Sequence, residues 1–151
     1  MTDFSSAERQ YVIFRLGSEV FGLEINRVKE IIVYQDTTKI PGTGELIDGI
    51  INLRGRVIPI FNLRRKFGFP NVENTRSTRI VVVEAYDNTV GIVVDGVSEV
   101  LIIPGNSVEK PSSIITNVDA NHISGIAKVE EKLVILLDLD KVIQSDLAQV
   151  I

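Results

Sequence analysis

Hydrophobic and polar positions alternate along most of this chain, and the alternation is interrupted at short, regular intervals. Over residues 10–16, Val12, Phe14 and Leu16 alternate with Tyr11, Ile13 and Arg15. Phe21, Leu23 and Ile25 then alternate with Gly22, Glu24 and Asn26 beyond a turn at Gly17-Ser18. A period of two marks half-buried strands, and residues 28–33 predict a third. Residues 34–45 read as a loop, with Pro41, Gly42 and Gly44. Gly49-Ile50-Ile51 and Val57 to Phe61 then flank Asn52-Leu53-Arg54-Gly55, a hairpin whose turn needs the positive φ that Asn and Gly tolerate. Pro59 cannot donate to a ladder, which places its strand at a sheet edge or bulge. Asn62 predicts an N-cap for a short helix carrying Leu63 and Phe67, stopped by Gly68 and Pro70.

After a polar stretch at 71–78 the scheme recurs: strands over 79–85, 89–94 and 97–102, with a turn at Asp87-Asn88. A long connection at 104–122, a hairpin and a helix from about Asp138 complete the chain, and Leu139, Val142, Ile143 and Leu147 form one helical stripe. The recurrence is one of sequence as well as pattern. Phe21-Gly22-Leu23 matches Val90-Gly91-Ile92 and Val28 matches Val97, an offset of 69; Gly49-Ile50 matches Gly125-Ile126 and Asn62-Leu63 matches Asp138-Leu139, an offset of 76. Two matches in the same order, separated by a loop-sized insertion, indicate a duplicated unit. The expected fold is mainly β: two small five-stranded barrels, each with a short helix, packed into one unit. The expected boundaries are a flexible lead at 1–9 and one domain over 10–149, divided into barrels at about 10–74 and 75–149.

With 151 residues the chain can bury roughly 68–70% of its unfolded surface, enough for one domain or two closely joined small ones. Sixteen basic against 20 acidic residues give a formal net charge of −4, which disfavours nucleic acid or anionic lipid as the main partner. The absence of cysteine removes disulfides, thiolate metal sites and thiol nucleophiles. No apolar run approaches the ~18 residues of a membrane span, and the polar first ten residues carry no export signal. A soluble cytoplasmic protein is the resulting expectation.

Little in the sequence invites catalysis. His122 is the only histidine and stands in a polar loop, where a bland surface role outweighs a catalytic one. Asp138 and Asp140 could hold Mg²⁺, but a helix cap explains them without a metal. Arg64-Arg65-Lys66 reads as a solvated face. No catalytic residue, metal site or cofactor is therefore expected. The informative positions are those at which the two halves disagree: Arg54 falls opposite Glu130 and Gly55 opposite Glu131 while the framework around them persists. Loops carry function where cores carry packing, so this turn is the place to look for a site. Its cation is either exposed on a hairpin tip or held by a carboxylate, for which Glu30 is the candidate.

Asn52-Leu53-Arg54-Gly55 followed by Val57-Ile58-Pro59-Ile60, preceded by Gly49-Ile50-Ile51 and joined to the stretch from Val90 to Leu101, closely resembles the CheW family of bacterial chemotaxis coupling proteins. The resemblance runs from about Tyr11 to about Ile143. It implies two SH3-like barrels and an adaptor that joins the cytoplasmic tips of chemoreceptors to the regulatory domain of the histidine kinase CheA, a domain of the same double-barrel fold. It also implies a stand-alone protein without a receiver or kinase domain, monomeric in isolation, localised to receptor arrays through its partners and not inserted in the membrane. By matching motif positions, the receptor groove between the barrels would involve Val28, Glu30, Gly49, Arg54, Val97 and Val100. The kinase face would lie after the third strand of the second barrel, at Val108, Ile114 and Ile115. The alternative is a nucleic-acid-binding small barrel, which calls for stacking aromatics and a basic groove; three Tyr, six Phe and no Trp on an acidic chain supply few of either.

Overall fold

The computed structural model describes residues 8–110 and 120–147. Its strands are β1 (Glu8–Leu16), β2 (Glu19–Glu24), β3 (Val28–Val33), β4 (Ile47–Leu53), β5 (Arg56–Asn62), β6 (Arg79–Ala85), β7 (Asn88–Val94), β8 (Gly96–Pro104), β9 (Val108–Glu109), β10 (Ile123–Val129) and β11 (Lys132–Leu137). Helix α1 (Leu63–Lys66) follows β5 and α2 (Leu139–Leu147) follows β11; short 3-10 turns occupy Ile25–Arg27, Gly105–Ser107 and Ala120–His122. The lead expected to be flexible to residue 9 is already strand from Glu8, because Glu8 and Arg9 pair with Pro104 and Ile103 of β8. Residues 1–7 lie outside the described part.

The described strands form two SH3-like barrel sheets, ordered β3-β6-β7-β5-β4 and β8-β1-β2-β11-β10-β9. Translating β3, β6, β7, β5 and β4 to their repeat equivalents yields β8, β1, β2, β11 and β10, so the duplication holds for five strands; the sixth, β9, is matched in the other barrel only by the isolated bridge of Thr38 to Ile50. The local irregularities repeat too. Bulges fall between Ile47 and Gly49 and between Ile123 and Gly125, at equivalent positions of β4 and β10. The division of the chain at about residue 74 does not survive, however. One barrel is the contiguous segment from β3 to β7; the other combines β1 and β2 with β8 to β11. A cut at 74/75 would sever the pairings β1–β8, β2–β11, β3–β6 and β5–β7. Equivalent strands carry equivalent patterns, so either pairing satisfies the alternation. The three-residue turn Ile25–Arg27 takes the chain out of the first barrel before that barrel is complete.

Pro59 is not on an edge strand, since β5 lies between β7 and β4. Its effect is visible one step away. In the β8-containing barrel the parallel ladder runs over Val20↔Val134, Phe21↔Ile135 and Gly22↔Leu136, whereas its counterpart begins at Ile60↔Gly91 and runs on to Asn62↔Val93. Pro59, the equivalent of Ile135, has no N–H with which to extend the ladder backwards.

Alternation divides the side chains among three cores. Tyr11, Ile13, Ile103, Ala127, Val134 and Leu136 fill one barrel, and Ile51, Ile58, Ile60, Ile80, Val82 and Val93 fill the other. The opposite faces, including Phe14, Phe21, Phe61, Val83, Ile92 and Ile126, meet in a shared core between the two sheets. The helical stripe Leu139, Val142, Ile143 and Leu147 joins that shared core, each residue at most 3% exposed. Phe21 stacks against Phe14 and Phe67 at 5.7 and 5.6 Å between ring centroids, which fastens α1 to β1 and β2 of the other barrel.

Two-residue turns close the equivalent hairpins, with φ of 50° and 86° at Arg54-Gly55 and of 49° and 70° at Glu130-Glu131. Both central residues of such a turn sit in the left-handed region, which Asn-Gly occupies with less strain than Glu-Glu. The variant Glu130→Asn with Glu131→Gly is therefore expected to gain about 1 kcal/mol in stability, read as a higher urea midpoint at unchanged slope. The turn after β6 lies at Tyr86-Asp87, with φ of 52° and 62°, one residue ahead of the position expected.

Candidate functional site

The turn at which the halves differ is built by its own side chains. Asn52 on β4 accepts a hydrogen bond from the Gly55 N–H at 2.8 Å, which closes the loop and leaves Arg54 directed away from it. The Arg54 guanidinium donates to the Glu30 carboxylate on β3. Glu30 stands at a register shift, between Val28 and Glu30, in the pairing of β3 with β6. The arrangement is asymmetric in exposure: the Arg54 side chain is 68% accessible and that of Glu30 32%. Water screens such a pair, so its net contribution to stability is under about 1 kcal/mol. What the pair does is bias an exposed, planar five-donor fork toward the β3 side of the turn.

The other positions assigned to the groove have mixed roles. Val28 and Val97, repeat equivalents of one another, are half-buried and pack on the shared core from the two barrels. Val100 is 50% exposed on β8, and its equivalent Ile31 is 40% exposed on β3. Gly49 is a backbone position: at φ 146° an added Cβ would lie 2.4 Å from the Thr38 carbonyl oxygen. It lets the loop strand pass close by, where Thr38 and Ile50 exchange two backbone hydrogen bonds of 2.9 Å. Among the residues assigned to the kinase face, Val108 is half-buried and packs into its own barrel, covering Gly125. Ile114 and Ile115 lie outside the described residues.

Several features were not anticipated. The basic cluster is not a solvated face. Arg64 is 7% exposed, and its guanidinium pairs with Asp95, the residue between β7 and β8, and donates to the Val72 carbonyl at 3.2 Å. Burial pushes the Arg64 guanidinium below its ordinary pKa, an effect the Asp48 carboxylate opposes. Arg65 pairs with Asp48 at 3.0 Å. A four-residue helix is too short for periodicity to reveal which side faces inward. The two caps, by contrast, fall where the sequence places them: Asp138 caps α2 by accepting the Lys141 N–H at 3.3 Å, as Asn62 caps α1 through Arg65. Asp140 is held by Arg27, so each of these two carboxylates already has a structural use.

Large apolar side chains are also exposed in repeat-related pairs: Ile31 with Val100, Val33 with Ile102 at 68% and 57%, and Val57 with Leu133 at 64% and 50%. The signal was present in β3 and β8, which are apolar on both faces, Ile31-Ile32-Val33 and Val100-Leu101-Ile102. Each barrel thus shows water a matching set of apolar residues, as docking surfaces do.

Residues 10–147 match the CheW-like domain family. The chain is 34% identical over 138 residues to the chemotaxis protein CheW of Klebsiella aerogenes, covering 91% of this chain and 83% of that protein. It is 29% identical over 150 residues to the chemotaxis protein CheW of Bacillus subtilis, covering 99% and 96%. The crystal structure of the scaffolding protein TtCheW from Thermoanaerobacter tengcongensis superposes with a TM-score of 0.82 at 37% identity, covering 92% of this chain and 90% of that one. Duplicated SH3-like barrels with exchanged strands, a carboxylate-paired arginine at the unmatched turn and family similarity over nearly the whole length agree: the chain belongs to the CheW family of chemotaxis scaffold proteins.

Proposed function

We propose that this chain binds the cytoplasmic tips of chemoreceptors and the regulatory domain of the histidine kinase CheA, and couples them without catalysing a reaction. It works in the cytoplasm as a monomeric unit and reaches the membrane through its partners; no helix among the described residues is long and apolar enough to cross one. The observation that carries the reading is the Glu30–Arg54 pair, an exposed polar fork on the strand of the half-buried Val28, on a scaffold whose other half lacks it. A helical receptor tip offers carboxylates and apolar stripes that complement such a fork and the adjoining valines. Val97 and Val100 would supply the opposite wall of the groove, with Gly49 setting the backbone beneath.

The kinase face is better sought among the exposed Ile102 and Leu133 than at the packed Val108. A partner of the same double-barrel fold could meet such residues with its own equivalents, and Ile114 and Ile115 would extend the surface.

Titration of purified variants against a receptor cytoplasmic fragment and the kinase regulatory domain, separately and together, tests the assignment. Arg54→Ala and Val100→Asp are expected to weaken receptor binding at least tenfold while the melting temperature stays within a few degrees, because both side chains are largely exposed. Ile102→Asp is expected to weaken the kinase domain instead. Loss of both partners by any one well-folded variant would mean that the two surfaces overlap. A double-mutant cycle through Glu30→Ala should show coupling in receptor binding larger than in stability.

A further inference from the structure

The chain crosses between barrels twice among the described residues, through Ile25–Arg27 on the way from β2 to β3 and through Asp95 between β7 and β8. Each crossing is tied by an ion pair to one of the two helices, at repeat-equivalent helix positions. Arg64 of α1 holds Asp95; Asp140 of α2 holds Arg27. The crossing residues differ by one place in the repeat, and the charges are reversed: cation on helix and anion on crossing in the first, anion on helix and cation on crossing in the second.

The two ties differ in their surroundings. The Arg64 and Asp95 side chains are 8% and 16% accessible, and Asp95 also accepts the Gly17 N–H at 2.7 Å from the β1–β2 turn. The Arg27 and Asp140 side chains are 31% and 37% accessible and border a cleft lined by Leu23, Glu24, Ser124 and Leu137. Two guanidinium nitrogens of Arg27 address the two oxygens of Asp140, and its Nε donates to the Glu84 carbonyl at 3.1 Å. The Tyr86 hydroxyl donates to the Asp140 backbone carbonyl at 3.4 Å, and Lys29 pairs with Glu84 at 3.4 Å.

We propose that Arg27 and Asp140 form a releasable clamp that sets the relative stance of the two barrels, while Arg64 and Asp95 form the permanent one. The apolar core between the sheets resists separation but is non-directional, so it tolerates a small sliding of one sheet over the other. A bidentate guanidinium–carboxylate contact at a crossing fixes direction as well as distance. One crossing is locked by a pair that water barely reaches; the other is held by a pair that salt or a competing carboxylate can open. Where the receptor groove lies between the barrels, its width follows this clamp; that consequence rests on the function proposed above, but the clamp itself does not.

The chain has no cysteine, so Val57→Cys and Leu133→Cys, exposed and one on each barrel, give a unique spin-labelled pair. Pulsed dipolar spectroscopy is expected to return one narrow distance distribution at low salt. Arg27→Gln or Asp140→Asn should broaden or shift it with little change in melting temperature, and Arg27→Asp combined with Asp140→Arg should narrow it again. Raising salt to about 1 M, where charges are screened beyond ~3 Å, should broaden the native distribution in the same way. An unchanged distribution in both single variants, or a salt-insensitive native one, overturns the proposal; so does a charge exchange that leaves the broadening in place. Receptor affinity measured on the same variants reports on the groove separately, so a failed receptor assay would leave the clamp standing.

Discussion

Arg64→Leu is expected to lower the stability of the fold by about 3–5 kcal/mol, the cost of stranding one member of a buried ion pair. The loss has two parts. Asp95, with a side chain only 16% accessible, keeps its bond from Gly17 but loses its counter-ion. The Val72 carbonyl, which accepts from Arg64 at 3.2 Å, loses a donor. Leucine fills part of the vacated volume but answers neither deficit. If the stranded charge is the larger part, then adding Asp95→Asn, which still accepts from Gly17, should recover at least about 1 kcal/mol of the loss. Urea denaturation of the single and double variants measures both quantities. Arg64→Leu costing less than about 1 kcal/mol would mean that water reaches the pair and that the first crossing is not locked. By contrast, Arg54→Leu, which breaks a pair of similar chemistry, should cost little, since the Arg54 side chain is 68% accessible.

Gly49→Ala is the second substitution expected to be severe, at about 3 kcal/mol or more. The added methyl carbon would stand 2.4 Å from the Thr38 carbonyl oxygen and 2.8 Å from its carbon, at a φ of 146° that side-chain-bearing residues avoid. Backbone on both sides leaves nothing flexible to yield, because Thr38 is bonded to Ile50 in both directions. Two comparisons calibrate the result. Gly55, at φ 86° with open space around it, should lose only about 1 kcal/mol as alanine. Gly125, the repeat equivalent of Gly49, has ordinary φ and faces the Val108 side chain at 2.3 Å, which can move. An ordering in which Gly49→Ala is no worse than Gly125→Ala would remove the strain argument. The expectation bears on function as well, since receptor binding lost on substitution of Gly49 would follow from a disturbed barrel and would not identify a contact.

The strands were legible because alternation is a local property; β3 and β6 fall on the residues the pattern names, Val28–Val33 and Arg79–Ala85. Duplication was legible for the same reason. The partners of each strand were not, because equivalent strands present the same alternation and only the crossings decide which barrel receives them. Among the site residues, Arg54 stood out as the position the repeat does not explain, and Glu30 followed as the carboxylate within reach. Arg64 was misjudged because three consecutive basic residues look solvated until one of them is found against Asp95. The exposed pairs Val33 with Ile102 and Val57 with Leu133 were overlooked since apolar residues in strands are ordinarily assigned to the interior, and alternation does not say which face is covered.

The exchanged strands also set an order of events during synthesis. The barrel from β3 to β7 is complete once residue 94 has emerged, with every one of its ladders available from contiguous chain. The β1–β2 hairpin, made first, has to wait for β8 and β11. At roughly 5–20 residues per second that wait is on the order of ten seconds. Only once residue 94 has emerged, in the later part of that wait, can Phe14, Leu16, Phe21 and Leu23 find cover on the finished barrel, whose side of the shared core is then in place. The first barrel to close is thus a ready-made surface for the apolar face of the earliest hairpin during the interval before β11 arrives.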